Sequence, residues 1–183
     1  MKKIIYIVLA GFLFSACGSK QLYTLGDTSA IPSSTEKNFD FIGVEKVELP
    51  IYFMDSPIYR KDSPYHLQEI EKANWINSMD VHMTNILISY LQKSMNNTNV
   101  YAYPWSNIKK MDKKISVNIS TFIAYQGVVT LEANYYILDK VSKKGSNYLF
   151  NTKERVDDES VESMIKAMEK AYFKLSKEIK DKL

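Results

Sequence analysis

The first apolar stretch of the chain, Ile4 to Phe14, is broken only by Gly11 and follows the basic Met1-Lys2-Lys3. It has about half the ~20 apolar residues that a helix needs to cross a bilayer. Ser15 and Ala16 then place small residues before Cys17. Charge, short apolar core and small residues in that order predict a secretory signal peptide over residues 1–16. Beyond it the apolar positions take two other periods. Leu22 to Leu25 reads as a short strand, and the polar Asp27 to Asn38, with Pro32, as a loop. Phe41 to Leu49 reads as a strand ended by Pro50, and Ile58-Tyr59-Arg60 as an edge strand. From Asn74 to Met95 the period becomes helical, with Trp75, Met79, Met83, Ile86, Leu87, Tyr90 and Leu91 on one face and Asn96-Asn97 as the stop. Val100 to Tyr103 predicts a strand closed by Pro104, so a right-handed crossover to a parallel neighbour is available.

The clearest pattern follows. Ile115, Val117, Ile119, Thr121 and Ile123 alternate with Ser116, Asn118, Ser120 and Phe122, and a second alternating run carries Val129, Leu131, Ala133, Tyr135 and Ile137. Two runs of period two around Gln126-Gly127 predict an antiparallel hairpin. Lys140 to Asn147 reads as a loop and Tyr148 to Glu154 as a third strand. A final helix begins near Asp158, where Asp157, Asp158 and Glu159 suit the positive end of its dipole. Val161, Met164, Ile165, Met168, Tyr172, Leu175 and Ile179 form its apolar stripe. The expected fold class is α/β: one domain over residues 17–183, a mixed, mostly antiparallel sheet of five or six strands, and two long helices packed on it.

Composition changes this picture little. Removing Lys2 and Lys3 takes the formal charge from +3 to about +1, and no basic stripe remains to read as a nucleic-acid surface. The aromatic content is carried mainly by thirteen tyrosines, whose apolar ring and polar tip suit half-buried sheet faces and wet interfaces. Contacts with partners are expected at sheet edges or on the strand face around Tyr135 and Tyr136.

The lone cysteine changes the picture more. Phe14-Ser15-Ala16-Cys17 resembles the bacterial lipobox, with Phe where Leu is usual. That resemblance implies diacylglycerol on the Cys17 thiol, cleavage before it, and acylation of the new amine. With each buried methylene contributing about 0.8 kcal/mol, three acyl chains would anchor the chain firmly. Gly18 in place of Asp after the cysteine implies delivery to the outer membrane by the enteric sorting rule, and only residues 18–21 are left as a tether.

The sequence carries no recognisable catalytic or metal-binding pattern. His66 and His82 are the only histidines, no HExxH or CxxC spacing surrounds them, and both read as partly exposed, His66 in a loop and His82 on the first helix. There is no GxSxG turn and no phosphate-binding glycine loop. Catalytic residues, metal ligands and cofactors are therefore all read as none. Trp75 reads as a core residue at the head of the first helical stripe.

Tyr23-Thr24-Leu25 close behind the cysteine, Ile42-Gly43-Val44 leading to Val47-Glu48-Leu49-Pro50, Pro57-Ile58 with Arg60, Trp75, the hairpin and the long last helix stand in one order. In that order the chain resembles the ABC-type transport auxiliary lipoproteins, the family of PqiC and YmbA. The resemblance implies a three-layer fold similar to the anticodon-binding class and to the N-terminal domain of TolB. It marks Tyr23, Leu25, Pro50 and Trp75 as structural or interaction positions. It also implies a lipoprotein without catalysis on the periplasmic face of the outer membrane. The partners it implies are an Mce-domain protein, an ABC permease and ATPase, and further copies of the chain, in the transport of lipid across the envelope. The alternative is a stand-alone envelope lipoprotein acting as a structural adaptor or binder.

Overall fold

The computed structural model describes residues 19–76, 78–104 and 111–183. The predicted signal peptide and Cys17 lie outside them. The centre of the fold is the hairpin that the alternation predicts. Strand β6 (Lys113–Tyr125) pairs antiparallel with β7 (Val128–Asp139), and Gln126 and Gly127 close the two-residue turn with φ of 48° and 72°. Positive φ at both positions gives the turn a twist that matches the flanking strands, and glycine meets it without strain. Strand β8 (Lys144–Arg155) continues the meander in unbroken register along β7.

The other edge of β6 is shared. Its first residues pair in parallel with β2 (Ile42–Glu45), and its last residue, Tyr125, pairs with Lys61 of β3 (Pro57–Ser63). Outside β2 lies β5 (Val100–Tyr103), a parallel neighbour. Outside β3 lies β4 (His66–Trp75), antiparallel, and then β1 (Gln21–Tyr23), parallel to β4. All eight strands form one sheet.

Helix α1 (Met79–Ser94) packs on β2 and β5, and α2 (Val161–Asp181) on β6, β7 and β8. The helices also touch each other: buried Tyr172 donates its hydroxyl to the Met83 carbonyl at 2.8 Å. Both helices therefore lie on one face of the sheet, and of the three layers implied by the resemblance the described residues supply these two. The stripe predicted for α2 is the buried one, and Ser160 caps the helix by accepting from Ser163 N. The opposite face of the sheet presents Ser116, Asn118, Asn134 and Tyr136.

Besides β8, which starts at Lys144 inside the predicted Lys140–Asn147 loop because those residues pair with the end of β7, the structure departs from the sequence reading in four places. The sheet has eight strands, because His66 to Trp75 is a strand and not a loop running into a helix. Only its last three residues, Ala73, Asn74 and Trp75, are buried, so most of it carries no alternation imposed by a core. Trp75 consequently ends β4 and does not open α1; Ser78, at φ 59°, turns the chain before the helix starts at Met79. Strand β3 is interior, since Pro57 stands at its first residue, where the missing N–H removes nothing from the ladder's middle. Finally, a bulge at Ser120 shifts the phase of β6, so Phe122 and Ala124 join the core beneath the helices in place of Thr121 and Ile123.

Candidate functional site

The four family-motif positions meet in one joint, where the chain enters the domain. Tyr23 is aligned with Trp75 in the β1–β4 pair, and Ile76 N donates to the Tyr23 carbonyl at 3.0 Å. Leu25 is buried in the common core. Pro50 opens a 3-10 turn (Ile51–Phe53) by accepting from Phe53 N at 2.9 Å. That turn lays the Phe53 ring between Trp75 and Phe122, stacked at centroid distances of 5.5 Å on each. Tyr52, one residue earlier, accepts the Phe122 N–H at 3.0 Å and so satisfies a backbone donor freed near the bulge. Burial pushes the Tyr52 hydroxyl above its ordinary pKa, so it remains a neutral partner there.

Beyond Tyr23 the chain is lashed to both helices. His82 Nε2 of α1 lies 2.8 Å from the Leu25 carbonyl and 2.7 Å from Thr24 Oγ1. A carbonyl oxygen only accepts, so Nε2 carries the ring proton in this arrangement. On the other side, Glu169 Oε2 of α2 accepts the backbone N–H of Gly26 at 2.8 Å and of Asp27 at 2.6 Å. Gly26 is required twice over. Its φ is 96°, and a Cβ there would stand 2.7 Å from two carbons of Ile86. Asp27 then caps a short turn through Ser29, which holds its carboxyl below the usual range, and Lys93 Nζ donates to the Thr28 carbonyl. The predicted loop is thus a strap fixed across α1.

Sequence reasoning missed Glu169, Gly26, Tyr52 and Phe53. A glutamate in the middle of an amphipathic helix carries no signal that it accepts two amides from a segment more than a hundred residues away. His82, read as a partly exposed helical histidine, is half-buried and has definite partners. His66 begins β4 and meets only Asp62, at 2.9 Å. Among the described residues no group of three His, Cys, Asp or Glu side chains is placed to hold a metal, and no helix is long and apolar enough to cross a membrane. Tyr135 belongs to the core and not to a docking face: it is 1% exposed, stacked on Tyr148 at 4.9 Å, and its hydroxyl is pushed up to about 12 by burial and by Glu178. Tyr136 does lie on the open face.

Two open clefts flank the joint's sheet. One, of about 610 Å³, lies between the β3–β4 hairpin and the start of α2, with Arg60, Gln68, Tyr125, Val156 and Met164 on its walls. The other, of about 570 Å³, lies on the open face between Tyr103, Ser116, Asn118 and Tyr136. Glu45 stands at its border. Burial alone would raise its pKa, but hydrogen bonds from Ser116 and Lys114 hold it below the usual carboxylate range.

Residues 23–180, which include the whole joint, α1 and all of α2 but its last residue, match the model of the ABC-type transport auxiliary lipoprotein component family. The chain belongs to that family. No curated protein matches the sequence. Two solved structures share the fold of this auxiliary lipoprotein. An uncharacterized protein is 14% identical over 90% of this chain and 99% of its own, with a TM-score of 0.71. A protein from Xanthomonas campestris is 15% identical over 87% of this chain and 92% of its own, with a TM-score of 0.69. The mixed α/β fold is therefore shared with structures only 14% and 15% identical in sequence. An accessory role in ABC-type transport follows from the family.

Proposed function

We propose that this auxiliary lipoprotein loses residues 1–16, is held on the periplasmic face of the outer membrane by lipid on Cys17, and docks there the Mce-domain component of an ABC-type lipid transport system. The observation that carries the reading is the clamped joint. The residues that follow the tether are hydrogen-bonded to β4, to His82 and to Glu169, so a lipid on Cys17 would hold the whole domain and not a loose tail. A domain held so close to its membrane cannot span the envelope, so the elongated partner comes to it.

Several copies would form the collar that receives that partner. The outer edge of β8 supports this: among the described residues its twelve residues pair on one side only, and Leu149 on it is 90% exposed. Photoreactive residues at Leu149 and at Tyr136, crosslinked in cells, test the docking. Adducts to an Mce-domain protein, or to a second copy of the chain, are expected. A chain that is monomeric by native mass measurement and gives neither adduct refutes the collar and favours a stand-alone adaptor.

A further inference from the structure

The strand register fixes where the β3–β4 hairpin stands relative to the anchor. Leu22 is aligned with Asn74, and Asn74 with Pro57. Because β1 runs parallel to β4, the chain enters β1 from the side toward which the hairpin points. From Pro57 to Ser63 the hairpin, whose register shifts at two places, rises at most about 20 Å, at ~3.3 Å per residue. Four residues, 18–21, separate Leu22 from Cys17, and the five steps between their Cα atoms span at most about 18 Å. Even fully extended, a tether of that reach brings the sulfur of Cys17 to about the level of the hairpin's end. The tip, Pro64 and Tyr65, therefore stands about level with the farthest point that the lipid-bearing atom could reach.

The tip is built, not loose. Lys61 Nζ donates to the Pro64 carbonyl at 3.3 Å, and His66 Nδ1 meets Asp62 across the turn. This frame leaves the Tyr65 ring 99% exposed, with Leu67 partly exposed just behind it. A fully exposed aromatic ring on an organised turn makes no contribution to the domain's own core. Tyrosine, with an apolar ring and a polar tip, is the side chain suited to the boundary between headgroups and acyl chains.

We infer that the tip of the β3–β4 hairpin is a second membrane contact, in which Tyr65 enters the headgroup layer of the bilayer that holds the acyl chains of Cys17. The inference rests on the proposed lipid anchor. The contact is aromatic and not electrostatic, because Asp62, Asp158 and Glu159 offset Arg60 and Lys61 around the cleft behind the tip. Two points of attachment would fix the tilt of the domain and hold the β7–β8 loop, at the opposite end of the sheet, away from the membrane.

The test uses the full chain, matured and extracted from the envelope, then reconstituted in vesicles of phosphatidylethanolamine and phosphatidylglycerol. Tyr65→Cys and, at the opposite end, Val141→Cys each carry a fluorescent thiol label, the thiol of Cys17 being blocked by its lipid. Quenching by a water-soluble collider should fall several-fold at position 65 on reconstitution, should stay unchanged at position 141, and should be indifferent to salt. A lipidated, vesicle-bound chain whose label at 65 is quenched as fully as that at 141 overturns the tip contact alone. A chain that matures without lipid, detected by labelling at Cys17 in the unsubstituted protein, overturns the anchor and the tip contact together.

Discussion

Substituting Glu169 is the sharpest probe of the joint, because one carboxylate oxygen accepts both the Gly26 and the Asp27 amide. A hydrogen bond to a charged group contributes about 1.5–3 kcal/mol when well sheltered. Here the Gly26 bond is half-sheltered and the Asp27 bond is exposed, so the pair is worth about 2 kcal/mol for Glu169→Ala, at the low end of that range. Glu169→Gln keeps an acceptor oxygen and loses the charge, and should cost about half as much. For a domain of this size, 1 kcal/mol moves the melting temperature by roughly 2–4 °C. Thermal unfolding followed by circular dichroism should therefore fall by about 4–8 °C for the alanine variant and by about half that for the glutamine. The damage should also be local. Amide exchange at Gly26 and Asp27 should accelerate by at least tenfold, since about 1.4 kcal/mol is a factor of ten, while amides in β6 and β7 follow only the global change. An alanine variant that melts with the native protein and keeps both amides protected refutes the clamp. A glutamine variant as damaged as the alanine shows that geometry, and not charge, holds the strap.

The remaining expectations concern the same body. Trp75→Ala removes the ring stacked on Phe53 in the core and should destabilise by about 3–5 kcal/mol in a denaturant titration; a loss under about 1 kcal/mol would mean the ring packs loosely. His82→Ala should speed amide exchange in the strap after Leu25, whereas His66→Ala, which loses only an exposed pair with Asp62, should leave both stability and exchange unchanged. Asp80 is held below its ordinary pKa first by its hydrogen bond from Lys46 at 2.8 Å, with the Val81 amide adding to it. A depressed folded-state value stabilises above the unfolded-state value near 3.8, and that contribution is lost as pH falls through the folded-state value. Asp80→Asn should thus be less stable than the native chain at pH 7, with the gap narrowing as pH falls below about 3.8; a gap that does not change with pH would show that something other than the charge was removed.

The elements legible in the sequence were those whose burial imposes a period. The β6–β7 hairpin and α2 have one dry face along their whole length, and their alternation and stripe mark it residue by residue. Strand β4 was illegible because Gln68, Glu69, Glu71 and Lys72 stand in solvent, and nothing in their order distinguishes an exposed arm from a loop. Trp75 and Met79 fall at helical spacing by coincidence, since both enter one core from different elements. The bulge at Ser120 was hidden for another reason. One extra residue reverses the faces, yet Phe122 and Ile123 are both apolar, so either phase reads as a strand. At the joint, Tyr23, Leu25, Pro50 and Trp75 could be marked as a group through the family resemblance alone. The residues that bind the group together, Glu169 and His82, are paired only by the folded chain.

The central claim is a domain fastened to a membrane through Cys17, and the intact mass of the chain extracted from the envelope tests it most directly. The account predicts a polypeptide that begins at Cys17 and carries the added mass of a diacylglyceryl thioether and an amide-linked acyl chain, and that floats with membranes. A chain that still begins at Met1, or one that begins near residue 17 without lipid and stays in the aqueous phase, would contradict it.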